Sequence, residues 1–541
     1  MSDPSPYPRE PAPPGRYPPS APPPQAPPAN SGLRIGLGLG LLVLPLAAAV
    51  VAYLLPTLRT IDLSFQSGSS MIGGTEPAGT ENYSRAFGDS GFLEGLTSVS
   101  LLALGTVVAG AVMAPLVAWC LHSGGAGVRM AARIVWSVAV IAFAPAAMTI
   151  AWLLAHMESG RNFTEADMTQ WAALISGTVF GAGVLVALAA FRGGAEPAKP
   201  AKAVVTAAGL TALALAAASL QAFTFTYITG VPAPPGMTPL NNVFHDGFRL
   251  LDSGYAAAKS TVLLAILAVL GIGAALLFIL TRTRIEVSPG PGRPERFRPG
   301  AGIAGILLLI LFGAGVVVNL LPWLTRMTGE SIGSFDQTEV LINTWVPPLI
   351  TTAVALVTAA AGGFAIGALR PLGEGSRWLL LLFAPWLFVG SGPLAVVGYE
   401  SLAEADAVFT FGGLVPRAWI AVPALFVFTA LFWGLEDRRR SMRALGAPAS
   451  KANGAFAAAA WPLVALVGMV LWLVHANDTF WQTVAGQKTA VQAMLQALHS
   501  FQTETAGVGI GYPFALLALF AAAMVAAAVF YLPRVGIRVG R

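Results

Sequence analysis

Residues 301–323 read AGIAGILLLILFGAGVVVNLLPW, twenty-three positions without one charged side chain. A helix rises about 1.5 Å per residue, so about 20 apolar residues cross the roughly 30 Å hydrocarbon core of a bilayer. No water is present there to satisfy backbone N–H and C=O groups, and a helix satisfies them internally. The stretch therefore predicts a transmembrane helix. Comparable runs lie near 35–57, 95–122, 130–156, 170–191, 203–224, 258–281, 343–369, 377–399, 413–435, 455–475 and 512–533. Together they make twelve expected spans, one of which carries Arg417 near an end where its side chain can snorkel to water.

The composition agrees. Of 541 residues, 55% are hydrophobic and 11% charged, and the mean hydropathy is +0.70. Soluble domains carry about 25% charged residues because they need a polar surface. The net charge is +5 and the pI about 9.5. No basic run interleaves with aromatic residues, so the excess reads as topological and nucleic acid is not an expected partner. The lone Cys120 sits in an apolar run, where it allows no internal disulfide or cysteine-based metal site and reads as a packing residue. Residues 1–32 are Pro-rich and expected to form a disordered cytoplasmic tail. Such a tail could serve a proline-recognising domain, although a solvated tail is the simpler reading. Apolar residues begin only at Leu33, too far in for an ordinary secretory signal.

Charge placement gives an orientation. With the N-terminus inside and the spans alternating, the inside loops hold Arg129 and Arg133; Arg192, Lys199 and Lys202; Arg282, Arg284, Arg293, Arg296 and Arg298; Arg370 and Arg377; Arg438, Arg439, Arg440, Arg443 and Lys451; and Arg534, Arg538 and Arg541. The outside loops hold most of the acids, among them Asp62, Glu81, Asp89, Asp246, Asp252, Glu400, Glu404, Asp406 and Asp478. Every inside loop is then net basic, as the positive-inside rule requires, and both termini are expected in the cytoplasm. The fold class read from this is an all-α integral membrane protein with about twelve transmembrane helices.

A charged, Pro/Gly-rich segment divides the chain. One half occupies 33–284, a cytoplasmic linker 285–300 and a second half 301–541, with six expected spans in each half. Both halves begin and end inside, so they form a parallel pseudo-repeat, and such repeats place a substrate route at their interface. The spans look almost free of ionisable groups, with His122, His156 and His475 near helix ends, which argues against a proton-driven mechanism. No catalytic constellation and no Walker A motif is visible, and Gly486-Gln487-Lys488-Thr489 lacks the P-loop pattern. The chain therefore does not read as an enzyme, and no metal site or cofactor is expected. The acidic stretch Glu400, Glu404 and Asp406 reads as a solvated loop rather than a cation site.

The inside loop from Glu436 to Ser450 contains Arg443, Ala444, Leu445, Gly446 and Ala449, and leads through Phe456 to Trp461-Pro462-Leu463. A short helix, a break of small residues and an apolar helix with an early proline suit a loop that lies across another protein. An ordinary basic loop fits the same residues. The stretch resembles the cytoplasmic coupling loop of ABC importer permeases, whose pattern is Glu-Ala-Ala, a Gly, a Phe and a Leu-Pro. Aligning Pro462 puts Phe456 on the Phe, Arg443-Ala444-Leu445 on Glu-Ala-Ala and Ala449 on the Gly. Another register puts Gly446 on the Gly, and the Glu is absent in both.

Further stretches carry the same resemblance. Thr60-Ile61-Asp62-Leu63-Ser64-Phe65, Glu81-Asn82-Tyr83 and Gly254-Tyr255-Ala256-Ala257-Ala258 are similar to one maltose-type sugar permease, and Asn477-Asp478-Thr479-Phe480-Trp481 to its partner subunit. The chain thus resembles the two permease subunits of a binding-protein-dependent sugar importer, fused. That resemblance implies cytoplasmic ATP-binding ABC subunits, an extracytoplasmic solute-binding protein, a sugar-like solute and a place in the plasma membrane. It implies that the segment Arg443 to Pro462 couples to the ATPase and that Tyr255, Asn477, Asp478 and Trp481 belong to the gate and pathway. An ion-coupled secondary transporter and a non-transporting permease paralogue are the other expectations. The loop between Phe191 and Ala203 shows no coupling pattern.

Overall fold

The structure, a computed structural model, describes residues 31–69, 71–158, 167–192, 200–229, 238–288, 298–326, 337–486 and 514–540. Residues 1–30 of the Pro-rich tail and residues 193–199 of the expected second inside loop lie outside them. The described chain is almost entirely helical. Helix α1 spans Gly32–Leu63, followed by the hairpin β1 (Gln66–Ser69) and β2 (Gly74–Pro77), α2 (Glu81–Gly88) and α3 (Ser90–Ser123). Helices α4 (Gly125–Ile141) and α5 (Pro145–Glu158) meet at a bend of 85°. Then come α6 (Asp167–Arg192), α7 (Pro200–Ile228), the short α8 (Pro239–Phe244), α9 (Ser253–Leu280) and β3 (Arg284–Val287). The C-terminal part holds α10 (Pro299–Arg326), α11 (Thr338–Leu369), α12 (Ala395–Glu404), α13 (Val422–Ala444), α14 (Ala449–Ala476), α15 (Thr479–Ala485), α16 (Ala515–Arg534) and β4 (Val535–Arg538).

Among the described residues, eight helices are long and apolar enough to cross a membrane, or nine if the bent pair α4–α5 is one span. The chain is a multi-pass all-α membrane protein. Two expected spans are built differently. Residues 377–399 form 3-10 turns, Gly373–Leu382, Ala384–Trp386 and Gly392–Leu394, before α12 begins. Pro385 and Pro393 each lack the N–H that a continuing helix needs. Within 413–435, helix starts only at Val422. The expected linker 285–300 opens as strand rather than coil, because β3 pairs antiparallel with β4 in the register Arg284↔Arg538 to Val287↔Val535.

The two parts interlock through their first helices. α1 crosses α11 so closely that a Cβ on Gly362 would stand 3.0 Å from Pro45. α10 crosses α3 so closely that a Cβ on Gly305 would stand 2.9 Å from the backbone of Cys120. The first helix of each part thus lies against the second helix of the other. Small residues let these backbones approach, the usual way helices associate where lipid offers no hydrophobic drive. Contacts also place the basic loops at one end of the bundle. Arg34 donates to Ala368 O at 2.9 Å and to Glu436 at 3.1 Å, and Arg298 N donates to Ser123 O at 3.2 Å. A Cβ on Gly434 would overlap Ile285 O, so β3 lies directly on α13.

Candidate functional site

A cavity of about 1130 Å³ lies between the two parts. Its walls come from α1 (Val51 to Arg59), the end of α7 (Ala214 to Thr224), the irregular segment 387–398, residues 416–423 and the junction of α14 with α15. Most of its lining is aliphatic, and aromatic side chains meet across it: Phe223 of the N-terminal part and Phe480 of the C-terminal part have ring centroids 4.6 Å apart. Gln221 ties the parts together at the wall, donating to Phe388 O at 2.8 Å and accepting from Gly390 N at 2.8 Å. Tyr53 reaches Ile420 O at 3.2 Å, and Trp386 donates to Thr57 at 3.1 Å.

Three of the four expected pathway residues stand on this wall. Asn477, Asp478 and Trp481 follow one another through the turn from α14 into α15. Asp478 is the N-cap of α15, accepting from Trp481 N at 3.1 Å, which is why a sharp turn forms here. Asn477 spends its amide on Leu473 O at 2.9 Å. Trp481 is 4% exposed, its indole N–H has no hydrogen-bond partner, and its ring lies against Gly398, itself on the cavity wall. Asp478 keeps some exposed area because it touches the cavity, yet it lies deep in the protein. Burial raises its carboxyl above the usual range, against hydrogen bonds from Ser391 and from backbone N–H groups.

This shift has a definite sign. Where the folded pKa of an acid is raised, the native state binds the proton more tightly than the unfolded chain. Stability then rises as pH falls through the folded value and levels off below the unfolded value of about 3.9. Asp478→Asn keeps an acceptor for the cap and is expected to flatten that dependence. Melting temperature against pH for both proteins checks it, and parallel curves would exclude Asp478 as the source.

Tyr255 stands elsewhere. Its hydroxyl donates to Asp89 at 2.8 Å, and the Arg85 guanidinium lies 3.8 Å from its ring centroid. One turn along α9, Lys259 is 1% exposed and donates to Asp89 at 2.6 Å and to Asp246 at 2.7 Å. This corrects the reading of the spans as almost free of charge. The sequence signal was present: a lysine one turn inside an otherwise uncharged run, four residues after Tyr255, on the same helix face. Its partners come from the cap of α3 and the segment after α8.

The expected coupling residues occupy the tip of a helical hairpin. α13 ends at Ala444, Gly446 takes a left-handed φ of 86°, and α14 starts at Ala449. Gly446 N bonds Arg443 O and Ala447 N bonds Met442 O, both at 3.0 Å, closing the helix end as a left-handed glycine allows. Leu445 is 88% exposed. Phe456 stands two turns into α14, stacked 5.9 Å from Phe432, and Pro462 lies inside the same helix, so neither belongs to the exposed tip. The hairpin is anchored by Glu436, 2% exposed, which accepts from Arg34, Arg439 and Arg440. Burial pushes the Glu436 carboxyl up, and the Arg439 and Arg440 hydrogen bonds outweigh it and hold it below its ordinary value.

No group of three or more His, Cys, Asp or Glu that could hold a metal occurs among the described residues. Fold and site define a multi-pass helical membrane protein with a largely apolar cavity between two interlocked parts. No family model, no curated protein and no solved structure matches the chain.

Proposed function

We propose that the chain is the transmembrane permease subunit of an ATP-driven, binding-protein-dependent importer of sugar-like solutes. In this reading it has twelve spans in two six-helix halves, both termini are cytoplasmic, and it works in the plasma membrane. Cytoplasmic ATP-binding ABC subunits hydrolyse ATP, and an extracytoplasmic solute-binding protein delivers the solute. The observation that carries the reading is the 1130 Å³ cavity walled by both parts, because a parallel repeat places its substrate route at such an interface. Aromatic faces beside a few hydrogen-bonding groups suit a neutral polyhydroxylated solute. The exposed tip Arg443 to Ala449 is a surface through which ATPase closure would reach α13 and α14 as a rigid-body motion.

Purification of the tagged chain in mild detergent, with its companions identified by mass spectrometry, tests this. Recovery of an ATPase bearing a Walker A motif is the expected result. Recovery of the chain alone, under conditions that keep a known importer intact, would overturn it. Leu445→Glu is expected to lower the ATPase recovered about tenfold, while stability stays within about 0.5 kcal/mol because the side chain is exposed. An unchanged yield of ATPase removes the tip from the coupling surface.

The buried Lys259–Asp89–Asp246 group favours one second reading, an ion-coupled secondary transporter, since charges inside membrane proteins often mark ion routes. Uptake into vesicles driven by an ion gradient without ATP would select it.

A further inference from the structure

Three cations are buried among the described residues: Lys259, Arg377 and Arg133. Lys259 has two carboxylates. Arg377 lies 3.8 Å over the Trp433 ring and feels the attraction of Glu374. Arg133, 8% exposed and two turns along α4, makes no hydrogen bond or ion pair with any other described residue. Its electrostatic neighbours are Arg129 and Arg192, and Arg192 in turn faces Arg534 at the end of α16. Three helices thus bring four guanidinium groups into one cluster, of which that of Arg133 is buried. Beside them, one further turn along α4, Ser137 is fully buried and its hydroxyl has no hydrogen-bond partner. Arg129 is held at the rim by donating to His122 O at 2.8 Å, and the His122 ring stacks on Phe191 with centroids 5.5 Å apart.

A buried guanidinium surrounded by cations is unfavourable unless an anion compensates it. Guanidinium forks and a hydroxyl match the several oxygens of a phosphate group. We propose that Arg129, Arg133, Arg192 and Arg534 form a binding site for a phosphate-bearing anion, with Ser137 as a further hydrogen-bond donor. Basic pockets between transmembrane helices are suited to phospholipid headgroups, and free phosphate offers the same oxygens. The site is independent of the transport reading, since it uses neither the central cavity nor the hairpin tip.

The test uses the full chain purified in detergent. Native mass spectrometry and melting are followed with phosphatidylglycerol, with phosphatidylcholine and with inorganic phosphate, for the natural protein, Arg133→Gln, Arg133→Lys and the distant Arg443→Gln. The natural protein is expected to retain phosphatidylglycerol over phosphatidylcholine. Arg133→Gln should bind it about tenfold more weakly or worse, as loss of a charge-assisted donor implies, while Arg443→Gln binds normally. Stabilisation by inorganic phosphate that Arg133→Gln lacks would assign the site to the free anion instead. Without added anion, Arg133→Gln should melt at or above the natural protein, because it removes an uncompensated buried charge. Failure of the natural protein to bind either probe, equal binding by Arg133→Gln, or a large loss of anion-free stability in Arg133→Gln that Arg133→Lys restores would each overturn the proposal.

Discussion

Lys259→Met is expected to destabilise the protein by about 3–5 kcal/mol, because it leaves Asp89 and Asp246 facing each other without their shared cation. Methionine has nearly the length of lysine, so packing changes little and the loss reports the charge. Adding Asp246→Asn to Lys259→Met should recover part of it, since a neutral group replaces an uncompensated one. A melting series of the three proteins checks this, and a single variant as stable as the natural protein would sink the assignment. The acid limb is a second readout. Burial pushes the Asp89 carboxyl up, but hydrogen bonds from Lys259 and Tyr255 outweigh it and hold it below its ordinary value. A depressed acid contributes stability that is present above its unfolded value of about 3.9 and lost as pH falls through the lower folded value. Lys259→Met should lose that contribution already at neutral pH.

Gly271→Leu should cost at least the 1–3 kcal/mol typical of overpacking. Gly271, on α9, faces the second part, and a Cβ there would overlap the carbonyl oxygen of Ala384 and stand 3.3 Å from Leu387. The obstacle is backbone rather than the end of a flexible side chain, so α9 and the 384–387 segment must separate. Leu387 also lines the cavity, and solute accumulation should fall with stability. Gly273, two residues on, has open space at its Cβ position. Gly273→Leu is therefore expected within about 0.5 kcal/mol of the natural protein. Equal melting temperatures for the two variants would mean that α9 does not press on the second part at this point.

Much of the architecture was legible from local pattern. The charge-free run 301–323 predicted a spanning helix, and α10 covers it. The basic loops were expected on one side; in the structure Arg34 meets Glu436, Arg370 meets the adjacent Asp437, and Arg298 N meets Ser123 O. The turn at Asn477-Asp478 is also local, because an Asp capping a new helix needs only its next three residues. The segment after Gly373 was expected as one helix, and it is broken into 3-10 turns instead, because hydropathy counts apolar residues and is blind to Pro385 and Pro393 as helix breakers.

By itself, then, the sequence determined which solvent the chain inhabits, where most helices run and which loops are basic. Those properties depend on neighbours within one helix or one turn. The tertiary structure decided the rest. It alone joins Lys259 to Asp246, thirteen residues away, and to Asp89, 170 residues away. It alone separates Tyr255 from Asn477, Asp478 and Trp481, opens a cavity between two parts whose first helices are exchanged, and surrounds Arg133 with cations. The physical reason is that a charge or a cavity takes its meaning from groups brought near by helix packing, and helix periodicity carries no information about which distant residue will be there.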